Sequence, residues 1–139
     1  ALFLVDAAQT AGVVPIDVQA ACIDLLAFPG HKSLFGPTGT GALYVGLRAT
    51  VRPWREGGTG GDSSTPTQPK EFPYYLEGGT PNVLGVAGMV AGLDFVEERG
   101  PDAIRRHEVE LCDRLRLALA ELPGFEVFGH PDPSRRVGT

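Results

Sequence analysis

Lys32 lies in a turn rich in glycine and proline, between two apolar segments of the sequence. The surrounding stretch, residues 27–45, is AFPGHKSLFGPTGTGALYV. A lysine amine attacks a carbonyl group only after losing its proton, and burial or neighbouring positive charge favours that loss. His31 and the amide groups of the turn are suited to hold an anion such as phosphate. The pattern is therefore compatible with a lysine that bonds to a carbonyl compound, and also with an ordinary surface lysine.

Asp6 closes a short apolar segment at the start of the sequence, and Gln9 follows three residues later. In α/β domains ligands bind beyond the carboxyl ends of the strands, so a carboxylate in this position can face a ligand. Paired with a protonated pyridine nitrogen, it would keep that ring cationic and make it an electron sink, as in pyridoxal phosphate chemistry. The alternative is that Asp6 only caps the turn that follows.

The elements that would position these residues belong to an α/β fold. The segment ALFLVDA is typical of a strand buried on both faces. Residues 17–28 predict a short helical piece and then a second strand ending near Phe28, and GALYVG at 41–46 predicts a third strand. A helix ended by Gly100 is expected next, then a second helix between Pro101 and Pro123, and a strand in GFEVFG at 124–129.

The second predicted helix has separate apolar and charged faces. Its apolar positions are Ile104, Leu111, Leu115, Ala118 and Leu122, and the positions expected to face water are Arg105, Arg106, Glu110, Asp113 and Arg114. We place a domain boundary close to its start, so that residues 1–98 form part of a large domain and residues 99–139 begin a small one. Residues 56–73 contain almost nothing that could enter a core, and a loop of this kind is usually functional or disordered.

Composition excludes several classes of function. The 139 residues carry a net charge of −5 and show no basic run interleaved with aromatic residues, which argues against nucleic acid as a partner. No segment is apolar over the roughly 20 residues that a membrane span requires. Cys22 and Cys112 lie far apart, and the three histidines are scattered, so neither a metal site nor a disulfide framework is indicated. We expect a cytoplasmic protein and, because strand-like sequence stands at both ends, part of a longer polypeptide.

Three segments, taken together and in this order, resemble cysteine desulfurases and related class V aminotransferases. They are LVDAAQTAGVVPIDV at 4–18, LLAFPGHKSLFGPTGTGALYV at 25–45 and EGGTPNVLGVAGMVAGLDFVEERG at 77–100. The resemblance covers roughly residues 1–100, and the remainder is similar to the start of the family's small domain. It implies the large domain of a fold type I enzyme, with a mostly parallel sheet and helices, and pyridoxal 5'-phosphate as cofactor.

The resemblance also implies a role for each candidate residue. Lys32 would be the catalytic residue that forms a Schiff base with the cofactor aldehyde, while Asp6 would pair with the pyridine nitrogen. Gln9 would bond the phenolic oxygen, and His31 would lie at the phosphate. Thr80 would reach the phosphate of the neighbouring subunit's cofactor, which implies a homodimer. The same reasoning makes residues 57–61, GGTGG, an interface loop in which Thr59 is a weaker candidate.

The implied activity is removal of sulfur from L-cysteine, with a sulfur-acceptor protein as a further partner. Another class V aminotransferase activity on a different amino acid is an alternative, and so is a non-catalytic interaction domain. A nucleotide-binding oxidoreductase is disfavoured because no phosphate-binding fingerprint follows the first strand. Pro29 stands where the family commonly has a serine or threonine, and neither Cys22 nor Cys112 matches the family's nucleophilic cysteine.

Overall fold

A computed structural model of the chain describes residues 1–58 and 64–139. The elements confirm the expected order of three strands followed by two helices, and a short 3₁₀ helix comes last. They are β1 (Leu4–Asp6), β2 (Leu25–Pro29), β3 (Gly41–Val45), α1 (Val83–Arg99), α2 (Pro101–Ala120) and the 3₁₀ helix Pro133–Arg135. The α/β class that the sequence predicts is therefore observed.

The three strands form one mixed sheet in the order β1–β2–β3. β1 runs parallel to β2, with Asp6 opposite Ala27, whereas β3 runs antiparallel to β2, with Gly41 opposite Pro29. Parallel strands end at the same edge of a sheet. The segments that follow β1 and β2, which contain Gln9 and Lys32, therefore start from one edge.

A buried carboxylate joins the other ends of the three strands. Asp24, which is only 3% exposed, accepts the backbone N–H of Phe3 at 2.9 Å. It also accepts two hydrogen bonds from the Arg48 guanidinium, both at 2.9 Å. Because Phe3 precedes β1, Asp24 precedes β2 and Arg48 follows β3, this group holds the register of the sheet.

Helix α1 packs closely on the turn that contains Lys32 because its contacting face includes two glycines, Gly88 and Gly92. A methyl group added at Gly92 would lie 2.3 Å from the backbone oxygen of Leu34. One added at Gly88 would lie 2.8 Å from the Pro37 ring. No side chain larger than hydrogen fits at these distances. The small residues on one side of α1 thus allow the helix and the turn to approach each other.

Two apolar clusters form the described core. The first contains Ala7, Ile23 and Leu26, which pack between the sheet and the turn after β1. The second contains Val13 from that turn, Val96 from α1 and Ile104 from α2. The second cluster draws residues from both sides of the predicted boundary at 98/99, and the division into two domains stays a prediction.

The helical piece expected between Asp17 and Asp24 is not formed, and this expectation was wrong. The segment consists of tight turns, in which the Asp17 carboxylate accepts the N–H groups of Gln19 and Ala20 at 2.9 and 3.0 Å. Cys22 then adopts a φ of 53°, which a continuing α-helix does not permit. A local side-chain cap followed by a left-handed residue therefore limits the segment to a turn.

The expected strand at 124–129 is also absent, and no strand pairs with it among the described residues. Alternating apolar residues predict a strand, but a strand exists only when a second backbone supplies its hydrogen bonds.

On α2, only Ile104 of the predicted apolar stripe is buried. The charged face is not simply solvated, since Arg105 donates to the carbonyl oxygens of Ser134 and Arg136 at 2.7 and 3.0 Å.

Neither of the two long helices is apolar enough over a sufficient length to cross a membrane, as judged on the part of the chain that the structure describes.

Candidate active site

Asp6 ends β1, and Lys32 follows β2 at the same edge of the sheet. Asp6 is the last residue of β1, and the N–H of Ala7 still bonds to the oxygen of Ala27 in β2 at 2.8 Å. Lys32 comes three residues after the end of β2 at Pro29. The parallel pairing of these two strands is what brings a carboxylate and an amine, far apart in the sequence, to one side of the molecule.

The turn around Lys32 is held by its own backbone. Gly30 donates to Thr40 at 2.8 Å, and its oxygen accepts the N–H of Gly36 at 2.7 Å, which closes the turn at its base. Within it, the oxygen of Lys32 accepts the N–H of Phe35 at 2.8 Å. Phe35 has a φ of 55°, a left-handed conformation that is costly for an aromatic residue. The backbone at Lys32 is thus fixed by several bonds.

The turn after β1 contacts the lysine turn directly at Gly12. A methyl group added to Gly12 would lie 2.2 Å from the backbone oxygen of Ser33, and Gly12 has a φ of +93°. Only glycine satisfies both requirements. The segment that contains Asp6 and Gln9 is therefore packed against the residue that follows Lys32.

The segment that contains Thr80 is joined to the lysine turn by Asn82, two residues further along the chain. Asn82 caps α1 by accepting the N–H of Gly85 at 3.0 Å, and its amide donates to the oxygen of Gly39 at 3.3 Å. Gly39 lies in the turn between β2 and β3 that contains Lys32. The segment with Thr80 is consequently tied to the far end of the lysine turn.

The predicted interface loop is described only at its start. Gly57 and Gly58 lie within the described residues, and a methyl group on Gly57 would be 3.7 Å from the nitrogen of Gly79. Gly79 immediately precedes Thr80. Thr59 and the two glycines after it lie outside the described residues.

All five predicted site residues, namely Asp6, Gln9, His31, Lys32 and Thr80, are exposed in the structure. The Asp6 carboxylate accepts the N–H of Ala8 through Oδ1 at 2.9 Å, so the alternative interpretation of Asp6 as a turn cap is observed. That bond occupies one oxygen and fixes the orientation of the carboxylate. Capping the turn and facing a ligand with the second oxygen are compatible roles.

The sequence did not reveal three residues that organise this region. Gln68 bonds to Gly57 and to the oxygen of Glu77, and Ser33 bonds to Glu108 across the molecule. Asn82 could have been recognised, because an asparagine directly before a helical pattern is a common cap. The bonds of Gln68 and Ser33 join residues 9 to 75 positions apart in the sequence, and no local pattern signals them.

Comparisons with known proteins show which family this chain resembles. A probable cysteine desulfurase of Halalkalibacterium halodurans is 41% identical over 99% of this chain, and one of Methanothermobacter thermautotrophicus is 38% identical over 94%. The chain spans 34% of the length of each, about a third of the curated relatives it matches.

Solved structures show the same likeness. The apo structure of a cysteine desulfurase from Thermococcus onnurineus superposes with a TM-score of 0.77 and 33% identity, over 99% of this chain and 35% of that one. A cysteine desulfurase from Escherichia coli gives a TM-score of 0.70 and 36% identity, over 88% and 32%. The sequence model described as aminotransferase class-V matches residues 1–139, and the chain belongs to the class V aminotransferase family.

Proposed function

We propose that this protein is a pyridoxal-phosphate-dependent cysteine desulfurase, which removes sulfur from L-cysteine. The observation that carries the proposal is the placement of Asp6 at the end of β1 and of Lys32 just after β2, since these two neighbouring parallel strands end at one edge of the sheet. The relatives named cysteine desulfurase support the choice of substrate.

The types of side chain at this edge fit the proposed cofactor. Asp6 provides a carboxylate for a protonated ring nitrogen, and Gln9 provides an amide for the phenolic oxygen. His31 provides a donor for a phosphate group, and Lys32 provides the amine that bonds to the aldehyde. Thr80 provides a hydroxyl for the phosphate of the cofactor in the neighbouring subunit. When bound, pyridoxal phosphate withdraws electrons from the α-carbon of an amino acid.

Each residue of the site then has a distinct task. The backbone bonds of the turn hold Lys32 in one place, so that its Nζ, once free, accepts a proton from the substrate and returns one to the product. The capping bond from Ala8 holds the Asp6 carboxylate in a fixed direction. The glycine contact at Gly12 keeps these two segments at a constant separation.

The proposed enzyme also has a defined assembly, domain division, partner and location. The protein is a homodimer in which Thr80 of one subunit serves the site of the other. Residues 1–98 belong to the large domain and residues 99–139 to the small one. A sulfur-acceptor protein takes the sulfur, and the enzyme works in the cytoplasm.

Lys32 and Lys70 are the two lysines of the sequence, which makes a direct test possible. The purified protein is incubated with pyridoxal phosphate, reduced with borohydride and digested, and the labelled peptide is identified by mass spectrometry. We expect the label on Lys32, its loss in Lys32→Ala and its retention in the matched control Lys70→Ala. A label that persists in Lys32→Ala would refute the assignment.

A different class V aminotransferase activity is the second candidate, because the matching family description covers aminotransferases. The products from L-cysteine separate the two. A desulfurase releases alanine and, with a thiol reductant present, sulfide. An aminotransferase yields a keto acid and leaves the sulfur on its product.

A further inference from the structure

We infer that Glu108, on helix α2, is a positioning residue for Lys32 that acts through the hydroxyl of Ser33. The inference rests on the proposed function, since it gives Lys32 the covalent role described above. It concerns a residue from the predicted small domain, outside the group of side chains that would touch the cofactor.

The contact is a single hydrogen bond across the molecule. Ser33 Oγ donates to Glu108 Oε1 at 3.1 Å, between residues 75 positions apart, and the bond is partly buried. Hydrogen bonds to a carboxylate are stronger than those between neutral groups, and partial burial reduces competition from water. Ser33 directly follows Lys32, so a restraint on Ser33 restrains the peptide group of the lysine.

Ser33 is also confined from the opposite direction. Its backbone oxygen lies against Gly12, and a methyl group added to Gly12 would lie 2.2 Å from that oxygen. The residue is thus held between the turn after β1 through its backbone and α2 through its side chain. With both contacts present, the Lys32 backbone has little freedom to rotate away from the sheet edge.

Glu108 is itself held in place. A methyl group added to Gly138 would lie 2.4 Å from Cβ of Glu108 and 3.1 Å from its backbone carbon, so the terminal segment packs directly on this residue. A side chain whose motion is already restricted loses less entropy when it makes a bond. This packing fixes the backbone and Cβ of Glu108, from which its carboxylate reaches Ser33.

The lysine turn has a second side-chain contact, of a different chemical kind. The Phe35 ring meets Phe95 of α1 edge to face, with 4.9 Å between ring centroids. That contact is apolar and stabilises the turn without selecting one orientation of a peptide group. The bond from Ser33 to Glu108 is directional, and for this reason we assign it the positioning role.

The test compares Ser33→Ala, Glu108→Ala and the conservative variant Glu108→Gln, whose amide oxygen can still accept the bond. Glu110→Ala, at an exposed position on the same helix, is the matched control. The first readout is the rate at which pyridoxal phosphate becomes attached to Lys32, fixed by borohydride and measured by mass spectrometry. The second is amide hydrogen exchange of residues 31–35 in the protein without cofactor.

We expect both alanine variants to slow attachment by about 10-fold, the effect of losing a hydrogen bond to a charged acceptor. Exchange at residues 31–35 should accelerate in the same two variants. Glu108→Gln should recover most of the rate and Glu110→Ala should match the wild type. The double variant Ser33→Ala/Glu108→Ala should be no slower than either single change, because both remove the same bond.

Attachment at the wild-type rate in Ser33→Ala would overturn the inference while leaving the proposed function intact. So would equal slowing in Glu108→Ala and Glu108→Gln, which would indicate a general disturbance of the helix. If the wild type shows no attachment at Lys32, the proposed function fails and the inference fails with it. Should Glu108→Ala not fold, Ser33→Ala decides the question alone.

Discussion

The carboxylate of Asp24 is surrounded by hydrogen-bond donors. The N–H of Phe3 is the main cause that lowers the pKa of Asp24 below its ordinary value of 3.8, and the Arg48 guanidinium adds to it. In turn, the Asp24 carboxylate raises the pKa of Arg48. A carboxyl group whose pKa falls on folding stabilises the folded state above its unfolded pKa, and this contribution is lost as pH falls through the folded value.

We therefore expect part of the acid sensitivity of the protein to come from Asp24. At pH 6, Asp24→Asn should unfold at a clearly lower urea concentration than the wild type, because the amide replaces the charge between Phe3 and Arg48. As pH falls below 3.8 the unfolded chain takes up the proton first, and the stabilisation from the folded carboxylate is lost as pH falls towards its lower folded pKa, so the gap between the two proteins should narrow. Urea titrations at pH 6 and pH 2.5 measure this, with Asp94→Asn on α1 as control. A gap that is unchanged or wider at pH 2.5 would contradict the explanation.

At the level of single residues, the sequence predicted the chemical groups better than their partners. Lys32 and Asp6 could be singled out because residue type and position at a strand end are local properties. The bond between Ser33 and Glu108 joins positions 75 residues apart, and its existence depends on how α2 returns to the sheet. Such a contact follows from the tertiary structure and leaves no local trace in the sequence.

Among the elements, α1 depends on glycine for its position. Replacing Gly92 by alanine would by itself stabilise the helix by up to about 1 kcal/mol, because alanine has the higher helix propensity. Its methyl group would, however, lie 2.3 Å from the Leu34 oxygen and 2.8 Å from the backbone carbon of Phe35. Both are backbone atoms of the turn that contains Lys32, so they cannot rotate away as a side chain could.

We expect Gly92→Ala to lower the free energy of unfolding by roughly 1–3 kcal/mol, the usual cost of overpacking. The control is Ala91→Ser, which also adds one non-hydrogen atom, at an exposed neighbouring position. Chemical denaturation monitored by circular dichroism gives both values. An increase in stability for Gly92→Ala would mean that the turn moves freely away from α1.

Elements with their own start and stop signals were predicted well. Gly100 after α1 and Pro101 at the start of α2 mark the helices in the sequence, and the structure ends and begins the two helices there. The segment 124–129 has the alternation of a strand, yet its state depends on pairing with another backbone. Local signals thus predicted the two long helices, while a strand also requires information about its neighbours.

At the scale of the whole molecule, the proposed role of Thr80 in the partner's site makes a prediction about mixed dimers. Lys32→Ala subunits are combined with Thr80→Val subunits, and the heterodimer is isolated with two affinity tags. If Thr80 acts across the interface, one of the two sites contains both Lys32 and Thr80. The other site lacks both groups.

We expect the heterodimer to hold one pyridoxal phosphate per dimer with wild-type affinity after dialysis. If Thr80 served its own subunit, the single lysine-containing site would lack the hydroxyl. Its affinity would then fall about 10-fold, as for a lost bond to a charged group. Absorbance of the bound cofactor measures both outcomes, and the Thr80→Val homodimer provides the weakened reference value. A monomeric protein in analytical ultracentrifugation would contradict the proposal at its first step.

The overall architecture was largely accessible from the sequence. The apolar segments that end in Asp6 and Phe28 predicted two strands, and the structure pairs them in parallel. The expectation that the first strand is buried on both faces was wrong, since Leu4 in β1 is 56% exposed. The packing of Val13 against Val96 and Ile104 was not predicted, since it unites a turn near one end with both helices. Cores assembled from distant segments follow from three-dimensional packing, which periodicity in one dimension does not encode.

Gly100 is the one residue between α1 and α2. It caps α1 through its N–H to the Val96 oxygen at 2.9 Å and takes a φ of +79°. A residue inserted early in α2 would turn the rest of that helix by about 100° around its axis. Glu108 would then point away from Ser33. The linker between the two helices therefore has a fixed length. A reporter fusion or an exchange of the last forty residues should use a site other than Gly100.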